Sequence, residues 1–337
     1  MYQSPSCQAH ARTVIEAKSR SQFGLGCVNL GSQGRAGVRL VHQALDLGVH
    51  FFDTADAYGS GQSERVLGRA LRLRRQEAFI ATKAGYIFKD RSTLASAARN
   101  VASPGLQVAR RWARSVRGGP SSRGNAYGEQ DFSPLYLRKA LEGSLRRLGT
   151  DFVDLYQLHG PQTVDDDVVA LMLDLRSEGK IRGLGVGLER LDNAEDWLST
   201  GALSGIQIPF GLLDPEAGDE IIPRAATLGI PVVVRGVFAG GFVARPSGGD
   251  TMRLRLGQPE RLAALSALAA ASGADTMQLA AWFVTARPGV STVLVGTSSP
   301  RHLSHGVRCV QTPPPEHVLR RLEALVARDS AGRAQST

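Results

Sequence analysis

A (β/α)8 barrel is the fold that this 337-residue sequence predicts, and three observations lead there. Eight short, nearly continuous apolar runs punctuate the chain, and helix-like segments lie between them. Runs of that kind indicate strands covered on both faces, as parallel sheets require. Repeated strand-then-helix order at this length indicates one large α/β domain. It points to a parallel sheet closed on itself, with an open doubly wound sheet as the alternative. Three of the runs also end on an ionisable residue: FF leads into Asp53, FIAT into Lys83 and DLYQL into His159. In a barrel the C-terminal strand ends open on one mouth, so these three groups would be neighbours there.

The elements follow in order. GLGCVNLG (24–31) leads to a helix near 35–47, and HFFDTA (50–55) to one near 63–71. AFIATKA (78–84) is the third strand, and a strong helix occupies about 135–148. FVDLYQLHG (152–160) precedes a helix at 165–179, and IRGLGVGL (181–188) one near 191–199. GIQIPF, IPVVVRG and STVLVGT supply the last three strands, with helices at about 215–228, 259–272 and 275–285 around them. Residues 22–325 are expected to form the single domain, preceded by a lead-in (1–21) and followed by a flexible tail (326–337). RDSAGRAQST has the composition of a frayed end.

The third strand is followed by something longer. Residues 85–133 carry eight basic side chains against three acidic ones, more than half of the net charge of +9. The positive balance therefore belongs mainly to one insertion, expected at the barrel mouth as a substrate wall or a flexible arm. There Tyr86, Phe88, Trp112 and Tyr127 would offer apolar contacts. A pI near 9.9 permits nucleic-acid binding, but no nucleic-acid motif accompanies it. No window of about eighteen apolar residues suggests a membrane span. The first twenty residues lack the apolar core of a signal peptide. Cys7, Cys27 and Cys309 are odd in number and far apart, which fits a reducing cytoplasm better than a disulfide framework. His10, His42, His50, His302, His305 and His317 show no metal-ligand spacing, so no metal is expected.

A buried Asp53 needs a partner, because an unpaired charge in such a setting is costly, and Lys83 is the candidate. Tyr58 lies five residues beyond Asp53 in the following loop. Aspartate, lysine, tyrosine and histidine at one mouth make an apparatus for proton transfer. Taken singly, each has a plainer reading: a structural ion pair, a packing tyrosine and a loop histidine.

The blocks carrying these residues resemble, in the right order, those of the aldo-keto reductase superfamily. They are GVHFFDTADAYGSGQSERVLGRAL (48–71), ATKAG (81–85), SLRRLGTDFVDLYQLHGP (144–161), KIRGLGVG (180–187), IQIPFGLL (206–213) and VLVGTSSPRHL (293–303). The resemblance spans about residues 22–325. It implies a (β/α)8 barrel that binds a nicotinamide dinucleotide without a Rossmann glycine motif, and no convincing GxGxxG is present.

The resemblance assigns a catalytic tetrad to Asp53, Tyr58, Lys83 and His159. Reducing a carbonyl by hydride leaves an alkoxide that needs a proton. A free tyrosine, with pKa about 10, is a reluctant donor until a nearby ammonium favours its phenolate. Lys83 would supply that charge, held by Asp53, and His159 would orient the carbonyl oxygen and assist proton delivery.

For the cofactor, the resemblance implies Gln207 at the carboxamide and Phe210 stacked on the nicotinamide. The loop 235–241, with Arg235, Gly236 and Gly241, would approach the pyrophosphate. Gly296, Thr297, Ser298, Arg301 and His302 would receive the adenosine 2′-phosphate, so NADP (NADPH over NADH) is the expected cofactor. The family's usual Ser-Asn pair after the fifth strand is replaced by Gly187 and Leu188. Asp56, in the variable part of its motif, is expected at the surface or in the substrate loop. The implied activity is NADPH-dependent reduction of an aldehyde or ketone. Two readings of the same site stay open: an alcohol or lactol dehydrogenase, and a dinucleotide-binding regulatory subunit. The partner is a small carbonyl compound, with neither nucleic acid nor membrane expected and the oligomeric state unassigned.

Overall fold

In the computed structural model, eight parallel strands close into a barrel in chain order, and β1 pairs with β8 to seal it. Residues 22–87, 129–212, 215–238 and 259–334 are described. The strands are β1 (Phe23–Gly26), β2 (Phe51–Asp53), β3 (Phe79–Ala84), β4 (Leu155–His159), β5 (Leu184–Gly187), β6 (Gly205–Pro209), β7 (Val232–Arg235) and β8 (Val290–Gly296). Around them lie α1 (Arg35–Asp46), α2 (Gln62–Leu71), α3 (Pro134–Leu148), α4 (Asp166–Ser177), α5 (Ala194–Ser199), α6 (Ile221–Thr227), α7 (Pro259–Ser272), α8 (Thr276–Thr285), α9 (Pro300–Gln311) and α10 (Glu316–Ala334). Registry from Phe23↔Val293 to Gly26↔Gly296 decides for a closed barrel over an open sheet.

The two-residue period of a strand explains how one barrel holds both a core and a site. Phe51, Phe79, Ala81, Leu155, Val233 and Leu294 point inward and form a cluster of their own. Their neighbours Phe52, Ile80, Tyr156, Val232 and Val234 point outward into the shell beneath the helices. Phe51 and Phe79 stack with ring centroids 4.8 Å apart. Space in this floor is tight: a Cβ on Gly24 would lie 2.7 Å from Leu294 and 3.0 Å from Phe51. Moving two residues toward the C-terminal end keeps the inward face and changes the chemistry. Phe51 gives way to Asp53, Ala81 to Lys83, Leu155 to Gln157 and then His159, and Val233 to Arg235.

Several helices begin at side-chain caps that accept from their own first-turn N–H groups: Ser133 before α3, Asp165 before α4, Asp275 before α8 and Ser299 before α9. The helix expected over 215–228 is divided into a 3-10 turn at Glu216–Gly218 and α6. Pro223 lies in the first turn of α6, where its missing N–H costs nothing, and cannot lie in the interior of a longer helix. Helices α9 and α10 were not foreseen. The latter runs to Ala334, so the tail expected from 326 continues a helix for several residues.

Residues 88–128, most of the basic insertion, lie outside the described residues, and so do Phe88, Trp112 and Tyr127. The insertion's two ends form a short stem on the mouth side of β3. Tyr86 bridges Gln130 in antiparallel fashion, Ile87 N donates to Glu129 O at 2.8 Å, and Asp131 N donates to Gly85 O at 2.8 Å. Gly85 adopts φ +136°, and a Cβ there would sit 2.3 Å from the Phe132 ring. Only glycine turns the chain at that point. No helix among the described residues is long and apolar enough to cross a membrane.

Candidate active site

Asp53 ends β2 and Lys83 lies one residue from the end of β3, both buried, with Lys83 Nζ 2.5 Å from Asp53 Oδ1. A second bond runs from Lys83 Nζ to Thr54 O at 3.1 Å. The same Asp53 oxygen accepts from Gln207 Nε2 at 2.8 Å and from Gln157 Nε2 at 3.4 Å. A buried pair is favourable only when its remaining polar capacity is satisfied, and the two amides contribute to that here. Burial pulls the Lys83 ammonium below the usual lysine range, against the opposing pull of Asp53.

Tyr58 is half-buried in the β2–α2 loop, and Lys83 Nζ lies 5.3 Å from the centre of its ring. His159 ends β4. Its ring stands edge-on to Tyr58 with centroids 5.9 Å apart, and edge-on to Tyr86 at 4.8 Å. Burial pushes the His159 imidazole well below the usual histidine range, and the charges of Lys83 and Arg235 push the same way. At neutral pH the ring is uncharged, so it can hydrogen-bond an oxygen without supplying a cation. The four residues of the expected tetrad are thus brought to one mouth.

The expected cofactor residues divide into two groups. Arg235 ends β7 at the same mouth and donates from Nη2 to Leu188 O at 2.7 Å. Gly236 is exposed with φ +81°, and a Cβ there would meet nothing within 4 Å. Gly241 lies outside the described residues. Gly296, Ser298, Arg301 and His302 are exposed where β8 passes into the first turn of α9. Thr297 Oγ1 accepts from Ser299 N at 3.1 Å, and Ser299 Oγ caps His302 N at 3.4 Å. Such a helix N-terminus, beside a guanidinium, suits an anionic phosphate.

Phe210 departs from expectation. It is 1% exposed and stacked on Phe283 of α8 with centroids 5.5 Å apart, so its ring faces the helical layer and not the mouth. Gln207 is at the mouth, although its amide nitrogen is engaged with Asp53. A Cβ on Gly187 would lie 3.5 Å from Lys83 Cε and 3.6 Å from Gln207 Oε1. A first side-chain carbon would therefore rest in ordinary contact with the Lys83 stem and Gln207.

A model of the aldo/keto reductase family matches residues 23–327. This chain belongs to the aldo-keto reductase family. It is 30% identical over 225 residues to the uncharacterized oxidoreductase YqkF of Bacillus subtilis (strain 168), covering 66% of this chain and 62% of that one. To the NADH-specific methylglyoxal reductase of Escherichia coli (strain K12) it is 28% identical over 193 residues, covering 56% and 52%. The chain thus spans less than two thirds of the length of these curated relatives. Among solved structures, the holo form of aldo-keto reductase AKR11C1 from Bacillus halodurans aligns with a TM-score of 0.72 and 28% identity, over 90% of this chain and 92% of that one.

Two features of this aldo-keto reductase were missed in the sequence. Gln157 is one: it lies two residues before His159 on β4, so period-two alternation alone puts both on the interior face. Asp56 is the other, and here the expectation is corrected. It is fully buried, not at the surface, because Asp56 N donates to Lys83 O at 3.0 Å and draws the loop down onto β3. Its carboxyl sits near Glu64 and Arg147, but neither oxygen meets hydrogen-bond geometry with a described group. Burial, then the Glu64 charge, pushes it well above the usual carboxylate range, with the Arg147 and Lys83 charges opposing.

Proposed function

We propose that this chain is an NADPH-dependent reductase of an aldehyde or ketone. The observation that carries the reading is the convergence of Asp53, Tyr58, Lys83 and His159 at the barrel mouth. Tyr58 gives its proton to the oxygen that becomes the alcohol. Lys83 favours the phenolate that Tyr58 becomes, and Asp53, fixed by two glutamines, holds Lys83 beneath the tyrosine ring. Neutral His159 orients the carbonyl oxygen by a hydrogen bond.

The residues present suit a dinucleotide: exposed Ser298, Arg301 and His302 at the start of a twelve-residue helix for a phosphate, and unobstructed Gly236. When bound, the nicotinamide supplies the hydride. The relative from Escherichia coli is named as NADH-specific, so the preference for NADPH rests on this chain's own Arg301 and its neighbours.

Tyr58→Phe tests the assignment. It removes the hydroxyl and little else, so NADPH binding, read by quenching of intrinsic fluorescence, should survive. Turnover of the best substrate in a carbonyl panel should fall by about 10²–10⁴-fold. A near-normal kcat in Tyr58→Phe would show that another group delivers the proton.

A further inference from the structure

In the helical layer, α8 and α9 bring together three ligating side chains that the reductase chemistry does not use. Asp275 caps α8, with Oδ1 accepting from Gln278 N at 2.8 Å. Its other oxygen, Oδ2, lies 2.7 Å from His305 Nε2 on α9. Cys309, one turn further along α9, places Sγ 3.6 Å from the same ring nitrogen. All three ligand atoms lie within 4.8 Å of one another.

One imidazole nitrogen carries either a hydrogen or a lone pair, so it cannot serve a carboxylate and a thiol fully at once. A cation among the three atoms can engage all of them. We propose that Asp275, His305 and Cys309 form a binding site for a zinc-type divalent cation, with water completing its shell.

The sulfur–nitrogen edge already matches such an ion, and the other two edges are met by moving one carboxylate oxygen. Zinc–sulfur bonds of about 2.3 Å and zinc–nitrogen bonds of about 2.05 Å, at a tetrahedral angle, separate sulfur from nitrogen by about 3.5 Å. The oxygen–nitrogen edge would be about 3.3 Å and the oxygen–sulfur edge about 3.5 Å, so Asp275 Oδ2 has to draw back from His305 by roughly 0.6 Å and close on Cys309 Sγ from within 4.8 Å. Its side chain is 50% exposed and its other oxygen stays on the cap, which permits a small pivot. The donor set fits as well. Sulfur, nitrogen and one carboxylate oxygen suit a borderline-soft ion, and a thiolate plus a carboxylate balance a dication. The His305 side chain is 32% exposed, so the rim is open to water, while buried Cys309 closes the inner side. Binding displaces the thiol proton to solvent, because the thiolate is the ligand. Without metal, burial and then the Asp275 carboxylate push this thiol up to about 12, with Arg308 opposing, so the cation must itself draw the proton off. His305 and Cys309 stand four residues apart, a spacing that faces one side of a helix. The spacing is legible in the sequence, but Asp275 joins it only through the fold.

The proposal is independent of the reductase reading, and its test does not use activity. Tag-free protein, stripped with chelator, is titrated with Co(II). One equivalent should bind with a thiolate-to-cobalt charge-transfer band in the near ultraviolet, and Zn(II) should bleach that band. Cys309→Ser should lose the band, and His305→Ala, at a solvent-facing position, should weaken Co(II) binding at least tenfold. Thermal unfolding in chelator serves as the folding control for both variants, and His305→Ala carries the test should Cys309→Ser unfold. Absence of the band in the wild-type protein at saturating Co(II) would overturn the proposal. So would a band that persists in Cys309→Ser, or an affinity unchanged in His305→Ala.

Discussion

Arg301 and His302 stand exposed on the first turn of α9, where the proposed function puts the 2′-phosphate. A guanidinium on a 2′-phosphate is a charged hydrogen bond of about 1.5–3 kcal/mol, and NADH has no such phosphate. Arg301→Ala should therefore weaken NADPH binding by roughly tenfold or more and leave NADH nearly unchanged. Equal losses for both cofactors would place the phosphate elsewhere. Asp56 is a different case, a buried acid whose ionisation the fold opposes. Its folded-state pKa is raised, so its contribution to stability is fully present below the unfolded value of about 3.9 and is lost as pH rises through the folded one. Asparagine resembles the protonated acid at every pH. Asp56→Asn should thus gain stability over the wild-type protein as pH increases above 4, until the gap levels off past the folded pKa. A stability difference that does not change with pH, measured by urea unfolding across that range, would show that Asp56 does not titrate this way.

Helix α2 shows how one glycine can set the distance between two elements. Gly68 sits on its buried face, and a Cβ there would come within 2.3 Å of Leu148 O at the end of α3. An exposed helical glycine gains about 1 kcal/mol when replaced by alanine. Here the obstruction is backbone, which no side-chain rotation relieves, so the helices must separate. Gly68→Ala should destabilise by about 1–3 kcal/mol and lower Tm by a few degrees. An unchanged or higher Tm would mean that α3 moves freely. The two helices are also joined by Arg147 Nε to Glu64 Oε2 at 2.6 Å, both buried, and Thr82 Oγ1 donates to Glu64 Oε1 at 2.6 Å. Separation would therefore strain contacts just behind the Asp56 loop and, through it, Tyr58.

Across the whole barrel, the site and the anchoring charges lie at opposite ends of the strands. Asp154, just before β4, is fully buried and accepts from Arg75 at 2.9 Å, Arg182 at 3.2 Å and Ile80 N at 2.9 Å, while both arginines flank the Phe152 ring. Asp154→Ala leaves a buried N–H and two cations without this partner, a loss of about 3 kcal/mol. Tm should drop by several degrees while kcat, measured below the new transition, stays within about twofold. A large loss of kcat at full stability would show that the two ends are coupled.

The separation also divides what could be read in one dimension from what could not. Strand order, the barrel and the ends of β2, β3 and β4 were legible, because alternation and strand-end chemistry are local patterns that the closed sheet simply preserves. Asp53, Lys83 and His159 could be placed at one mouth for that reason, while Tyr58 lies in the loop after β2 and the catalytic roles of all four come from the family resemblance. Helix α9 starts inside the tract assigned to the 2′-phosphate, where Ser299 caps its first turn, and α10 follows it after the last strand, beyond the strand-then-helix repeats that the sequence pattern traces. Phe210, Asp56 and Cys309 depended on partners far along the chain: Phe283, Lys83 and Asp275. Whether a phenylalanine faces a mouth or a helix, or a loop aspartate water or a core, is set by side-chain packing between distant segments. Sequence periodicity specifies a residue's side of its own element, and only the assembled barrel decides what that side meets.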